Sequence, residues 1–295
     1  MKSGFVSFIG RPNAGKSTLL NRLVGSKLAI VSDKPQTTRT RILGVRNYPD
    51  AQVVFLDTPG IHRPLHRMNV RMVDTAIETI REVDVLGLVI DAAEPPGKGE
   101  RFVLDLIKDA PAPVFLILNK IDLVRKPRLL PMIERYHQEA RFEEIIPLSA
   151  ATGENVDRLE RAIIDRLPEG ERLYPDDYLT DQPERFFAAE IVREKLLQFT
   201  HAEIPFASAV IIDRFEEPHG DKPVLRLYCT IVVDRESQKP IVVGRGGEMI
   251  KKIGTAAREE LERFFGTKVF LDLHVRVKSE WREDDQVLSQ LGIRN

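Results

Sequence analysis

The chain has 295 residues, 42% of them apolar and 30% charged, enough core-forming material for one large or two ordinary domains and too much for a disordered chain. Its 44 Lys and Arg against 45 Asp and Glu give a net charge of −1, so any contact with a polyanion has to be local. The single cysteine, Cys229, excludes an intramolecular disulfide; no Cys or His cluster has metal-ligand spacing, and no apolar run is long enough to span a bilayer. A cytoplasmic protein in a reducing compartment is the expectation.

FVSFI (5–9) reads as a short strand. GRPNAGKS (10–17) follows, and then STLLNRLVG, whose apolar residues recur at helical spacing. In such a strand-loop-helix, Gly10 and Gly15 let the backbone turn N–H groups inward, and the helix starting near Lys16 adds its positive dipole end. Lys16 offers a charge to the β- and γ-phosphates of a nucleotide, and Ser17 a hydroxyl to Mg²⁺. The phosphate cradle is expected from Gly10, Arg11, Pro12, Asn13, Ala14, Gly15, Lys16, Ser17 and Thr18.

TRILGVRN (40–47) and QVVFLD (52–57) predict an antiparallel edge hairpin. Asp57, Thr58, Pro59 and Gly60 then form a turn that would bring the Asp57 carboxylate to Mg²⁺ and the Gly60 N–H to the γ-phosphate. Further strands are predicted at 83–91, 112–119 and 143–149, with helices near 68–81, 99–109, 128–139 and 154–167. Near-continuous Val, Ile and Leu in strands separated by helices define an α/β domain with a mostly parallel sheet, which binds ligands at the carboxyl ends of its strands. One such end carries Asn119, Lys120 and Asp122. A carboxylate there accepts two hydrogen bonds from guanine and none from adenine, selecting GTP over ATP. Lys120 would pack along the base, and Ser149-Ala150 would bring a backbone N–H to the guanine O6.

Residues 1–167 are thus predicted to form a nucleotide-binding domain, 168–183 (PEGERLYPDDYLTDQP) a linker without periodicity, and 184–295 a second, α+β domain. The latter reads as a helix over 184–200, strands over 207–215 and 224–234, a helix over 246–265 and a last strand over 268–277. By its β-branched residues IVVG (241–244) also reads as strand. Gly244-Arg245-Gly246-Gly247 at a helix start can approach a sugar-phosphate backbone closely, the mode by which KH domains clamp about four nucleotides. Ile241, Gly244, Arg245, Gly246, Gly247, Ile250, Lys251 and Lys252 are the candidate RNA contacts. Residues 239–252 hold four basic residues and one acidic within a near-neutral domain, which fits a narrow footprint. Phe206, Tyr228, Phe264 and Phe265 are read as core rather than stacking platforms, and His62 and His66 as surface residues.

In the order GRPNAGKS, QTTRT, DTPG, NKID and SAA, the first domain resembles the translation-factor-related GTPases. With the C-terminal third included, nearly the whole chain resembles the Era family of bacterial ribosome-assembly GTPases. The resemblance implies a type II KH domain, and so a short helix, not a strand, before the glycine loop. It implies a first switch at Thr37 and Thr38, one hydroxyl of which joins Ser17 on Mg²⁺; the sequence does not choose between them, and Ser17, Thr38 and Asp57 are the metal set carried forward. Ile61 stands where Ras-like proteins carry a water-orienting Gln, and Asn13 matches an asparagine that holds K⁺ in relatives, so Asn13, Lys16, Thr38 and Gly60 form the candidate catalytic set for slow GTP hydrolysis. The implied partners are GTP, GDP, 16S rRNA near its 3′ end and the 30S subunit, for a monomer with peripheral inner-membrane association as an option. Two rival readings are a membrane-associated regulatory GTPase, opposed by Glu259, Glu260 and Glu262 on the 246–265 helix, and a tRNA-modification GTPase, which needs a further domain.

Overall fold

The computed structural model describes residues 1–34, 37–61, 66–201, 203–220 and 223–293. Gln36 of the QTTRT segment and His62 lie outside the described residues. The chain divides into two compact units, with the boundary between Asp181 and Gln182 except that His66–Met68 group with the second.

The first unit runs β1 (Lys2–Ile9), α1 (Lys16–Val24), β2 (Ile42–Tyr48), β3 (Ala51–Asp57), α2 (Arg67–Glu82), β4 (Val85–Asp91), α3 (Lys98–Ile107), β5 (Val114–Asn119), α4 (Leu129–Glu139), β6 (Glu144–Pro147) and α5 (Val156–Arg166). Its sheet has the order β2-β3-β1-β4-β5-β6. β2 pairs antiparallel with β3, forming the edge hairpin, and every other pairing is parallel. All seven residues of β3 and all six of β5 are buried, as a sheet covered on both faces requires. One core cluster joins Ile9, Val54, Leu88, Leu116 and Leu118 of the strands to Ala76, Ile80, Val103 and Leu104 of the helices. The polar ends of β1, β3 and β5 are thereby fixed on a rigid frame.

The segment expected as a linker is tied to this unit over most of its length. Leu179 O accepts from Val45 N at 2.8 Å, Gln52 Oε1 accepts from Leu173 N and Tyr174 N, and Asn47 Nδ2 donates to Asp176 O. Gln52 is fully buried, and the stacked rings of Tyr174 and Tyr178 pack on the core. The Val45–Leu179 bond pairs one backbone group on the open edge of β2.

The second unit runs α6 (Glu184–Phe199), α7 (Ile204–Ala207), β7 (Ser208–Glu216), β8 (Val224–Val233), α8 (Lys239–Val243), α9 (Glu248–Phe265), β9 (Lys268–Val277) and α10 (Asp285–Gln290). β7 and β8 pair antiparallel, whereas β8 and β9 are parallel and need a crossover, which α8 and α9 supply. The strand reading of IVVG is therefore corrected to the helix α8. Pro240 suits a first helical turn, Val242 is fully buried, and Gly244 N closes the helix on Pro240 O at 2.8 Å. Burial of one valine, a tertiary contact, outweighs β-propensity in so short a segment.

Phe265 packs against Phe215 and Phe264, and Phe264 against Phe187, although Phe264 stays 40% exposed. Tyr228 is half-buried beside Phe270, with the Arg214 guanidinium 4.0 Å above its ring. Cys229 is buried among Leu227, Ile231 and Val269, and burial pushes its thiol up to about 12. A hydroxyl in this apolar setting has no partner, so Cys229→Ser should cost about 1–3 kcal/mol, measured as a lower urea midpoint for the second unit. Among the described residues no helix is long and apolar enough to cross a membrane.

Candidate functional site

β1 delivers the chain to the glycine loop, and α1 begins at Lys16. Gly15 has φ +94°, and a Cβ there would lie 2.2 Å from Asn119 Nδ2, so the position takes only glycine. Lys16 is buried and folds back over the loop, where its Nζ donates to Gly10 O at 3.2 Å and Arg11 O at 3.0 Å. Burial lowers its pKa to about 8, against the opposing pull of Asp57. An ammonium held by two carbonyls in a buried place is poised for a stronger anionic partner. Beside it opens a cavity of about 370 Å³ lined by Pro12, Asn13, Gly15 to Thr18, Ile30 to Asp33, Thr37, Thr38, Gly60, Glu94 and Lys120.

Three oxygen-bearing side chains converge at one end of this cavity. Ser17 Oγ lies 2.9 Å from Thr38 Oγ1 and donates to Asp57 Oδ2 at 3.1 Å, and Thr38 Oγ1 donates to the same oxygen at 3.0 Å. Thr37 turns elsewhere, donating to Lys34 O at 2.6 Å. Of the two threonines, Thr38 is the one whose hydroxyl lies against both Ser17 and Asp57. Asp57 is fully buried, its Oδ1 has no hydrogen-bond partner, and burial raises its pKa even though Lys16, Thr38 and Ser17 pull it down. An orphaned carboxylate oxygen with two hydroxyls is a hard-oxygen set that fits Mg²⁺, which takes few protein ligands and completes its shell with phosphate oxygens and water.

The turn after β3 is fixed by two bonds. Thr58 Oγ1 donates to Phe8 O at 3.1 Å, and Ile61 N donates to Gly10 O at 3.2 Å. Pro59 and Gly60 are buried between them, with Gly60 against Pro12. Ile61 is buried in the core, so nothing at that position can orient a water. Asn13, at φ +64°, donates from Nδ2 to Asp33 O at 2.5 Å, which ties the glycine loop to the segment leading to Thr38.

At the end of β5, Asn119 joins three loops: Nδ2 donates to Ala14 O at 2.8 Å, and Oδ1 accepts from Ala150 N at 2.9 Å. The backbone N–H expected from Ser149-Ala150 at a base keto oxygen is thus used within the protein at both residues, Ser149 N donating to Glu154 O at 3.0 Å. Ser149 is buried and its Oγ caps Thr152 N. Lys120, at φ +65°, places Nζ 2.6 Å from Asp91 Oδ2, and the Asp122 carboxylate is exposed, with no partner among the described residues.

Two positioning residues escaped the sequence reading. Asp91 closes β4 and holds Lys120; its place at the carboxyl end of a parallel strand was the available signal. Asn21 sits inside α1, where asparagine is disfavoured, because its side chain binds Leu28 N, Ala29 N and Ala29 O and so fixes the chain entering the Thr37-Thr38 segment.

In the second unit, Gly244, Gly246 and Gly247 all have positive φ between α8 and α9. Arg245 and Gly246 are exposed, and a Cβ at Gly246 or Gly247 would meet nothing within 4 Å. Ile241 is 47% exposed, Ile250 is half-buried and Lys251 is exposed. Lys252 is exposed as well, with its Nζ 4.4 Å above the Phe199 ring, and it lines with Lys251 the same hollow beside that ring.

A glycine loop before α1, a carboxylate-hydroxyl cluster and the Asn119–Asp122 loop on the strand ends of one mostly parallel sheet, followed by a KH domain, are the arrangement of a P-loop GTPase with an RNA-binding module. The family described as 50S ribosome-binding GTPase matches residues 5–120, and the KH domain family matches 203–282. GTPase Era of Geobacter metallireducens is 51% identical over 99% of this chain and 97% of its own length, and GTPase Era of Staphylococcus haemolyticus is 46% identical over the same shares. Two solved structures superpose over the full length of both chains with TM-scores of 0.95 and 42% identity: an Aquifex aeolicus Era bound to GDP·AlF4⁻, and an Era in complex with MgGDPNP and nucleotides 1506–1542 of 16S ribosomal RNA. The chain belongs to the Era family of GTPases.

Proposed function

We propose that this GTPase is a switch that binds 16S rRNA near its 3′ end through the second unit and acts in assembly and maturation of the 30S subunit. The observation that carries the RNA reading is the solvent-open Gly244–Gly247 loop at the start of α9, flanked by Ile241 and Lys251. A relative of matching fold, captured with a 16S rRNA fragment, supports the choice of RNA. Ultraviolet crosslinking in cells with sequencing of the bound RNA is the test. Recovery of one segment near the 16S 3′ end is expected; a library without enrichment there would reject the rRNA reading and leave a GTPase with another partner.

In the first unit, residues 10–18 take the phosphates, Lys16 neutralises the β- and γ-phosphates, and Asp122 reads the guanine. Ser17, Thr38 and Asp57 hold Mg²⁺, which when bound spreads the charge of the β- and γ-oxygens. The Gly60 N–H meets the γ-phosphate. Ile61 leaves hydrolysis without a water-orienting side chain, so charge stabilisation must come from elsewhere. The Asn13 amide lines the cavity with its Nδ2 on Asp33 O, and its Oδ1 is a neutral oxygen donor suited to K⁺. GTP turnover is expected to be about tenfold faster in KCl than in NaCl, with Asn13→Ala abolishing the difference. Equal phosphate release in both salts would remove K⁺ from the proposal.

A further inference from the structure

The loop after β6 is held from one side by a residue of α1. Arg22 donates from Nε to Ala150 O and from Nη2 to Ala151 O, both at 2.5 Å. A trans peptide sets its C=O and the following N–H on opposite sides. Each carbonyl gripped by the guanidinium therefore turns the next N–H away from Arg22. The Thr152 N–H, turned in this way, donates to Ser149 Oγ at 3.1 Å. The Ala151 N–H, turned likewise, has no partner among the described residues, and Ala151 is exposed. Ala150 cannot serve in its place, because its N–H is on Asn119 Oδ1. Gly153, at φ +92°, keeps the space clear: a Cβ there would lie 2.9 Å from Arg22 Nη1.

We propose that Arg22 is a positioning residue for base recognition, fixing the Ala150-Ala151 peptide so that the Ala151 N–H is presented to the keto oxygen of guanine. This rests on the reading of the Asn119–Asp122 loop as the base site. The grip needs a planar fork, since two successive carbonyls are held at once and an ammonium is a single point. Arg22 also belongs to the helix whose first turn carries Lys16 and Ser17, so it ties the base loop to the phosphate-holding element.

The test uses full-length wild type, Arg22→Gln and Arg22→Lys, with GDP, IDP, ADP and 6-thio-GDP in competition binding. IDP lacks the 2-amino group assigned to Asp122, whereas 6-thio-GDP replaces the keto oxygen by sulfur, a weaker acceptor. Arg22→Gln should lose about tenfold in GDP affinity, the worth of one hydrogen bond, and should bind GDP and 6-thio-GDP alike. Its preference for GDP over IDP should stay within about twofold of wild type, and Arg22→Lys should fall between the two. In wild type the Ala151 amide proton should move downfield when GDP binds, and in Arg22→Gln it should not. Undiminished discrimination between oxygen and sulfur in Arg22→Gln, or an Ala151 amide that GDP leaves unmoved in wild type, overturns the proposal. Equal binding of ADP and GDP by wild type would instead overturn the base-site reading beneath it.

Discussion

Asp122→Asn should convert the protein from a guanine binder to a xanthine binder, with GDP affinity falling about 10²–10⁴-fold and xanthosine diphosphate rising towards the affinity GDP had. Guanine presents two donors on one edge, N1–H and the 2-amino group, and a carboxylate accepts both. An asparagine amide offers one acceptor and one donor, so one of the two contacts becomes donor against donor. Hydrogen bonds to a charged partner contribute about 1.5–3 kcal/mol each, and two of them set the expected range. Xanthine carries an oxygen in place of the 2-amino group and matches the amide. The substitution leaves the fold alone, because Asp122 is exposed and has no partner among the described residues, while Asn119 and Lys120 hold the loop through Ala14, Ala150 and Asp91. Equilibrium titration with the two diphosphates decides it: GDP affinity within about threefold of wild type would refute Asp122 as the base reader.

What the sequence made legible follows from where the physics is local. The six-stranded sheet could be read because its strands are continuous apolar runs, and the glycine loop because φ +94° at Gly15 and the close approach of Asn119 demand glycine. Thr38 could not be told from Thr37, since only the tertiary position of Asp57 separates them. A backbone N–H of Ser149-Ala150 was expected on the base, and the bond of Ala150 N to Asn119 lies between residues 31 apart, beyond any spacing rule. The segment 168–183 has the composition of a linker, yet Gln52, a buried polar residue in β3, requires the partners that Leu173 and Tyr174 give it. For α8, β-branched residues pointed one way and the resemblance another; a parallel β8-β9 pairing needs helical crossover, and the resemblance held.

Gly246→Asp should lower RNA affinity at least about 100-fold while GTP hydrolysis without RNA stays within about twofold of wild type. Gly246 sits at φ +60°, a conformation that aspartate tolerates better than most residues, and a Cβ there meets nothing. The loop should therefore keep its shape, and the loss should come from a carboxylate set where a phosphodiester must approach. Full RNA affinity in this variant, measured by filter binding, would reduce the loop to a turn. The salt dependence separates the basic residues around it. Each phosphate neutralised on a single strand adds about 0.7 to the magnitude of the slope of log K against log salt. Lys251 is exposed beside the loop, so Lys251→Ala should lower the slope by about that amount. Lys252 is engaged by its contact with the Phe199 ring, and Lys252→Ala should leave the slope unchanged. Equal losses for both lysines would mean that the RNA also engages the charge held over the Phe199 ring, a footprint wider than the glycine loop and its apolar neighbours imply.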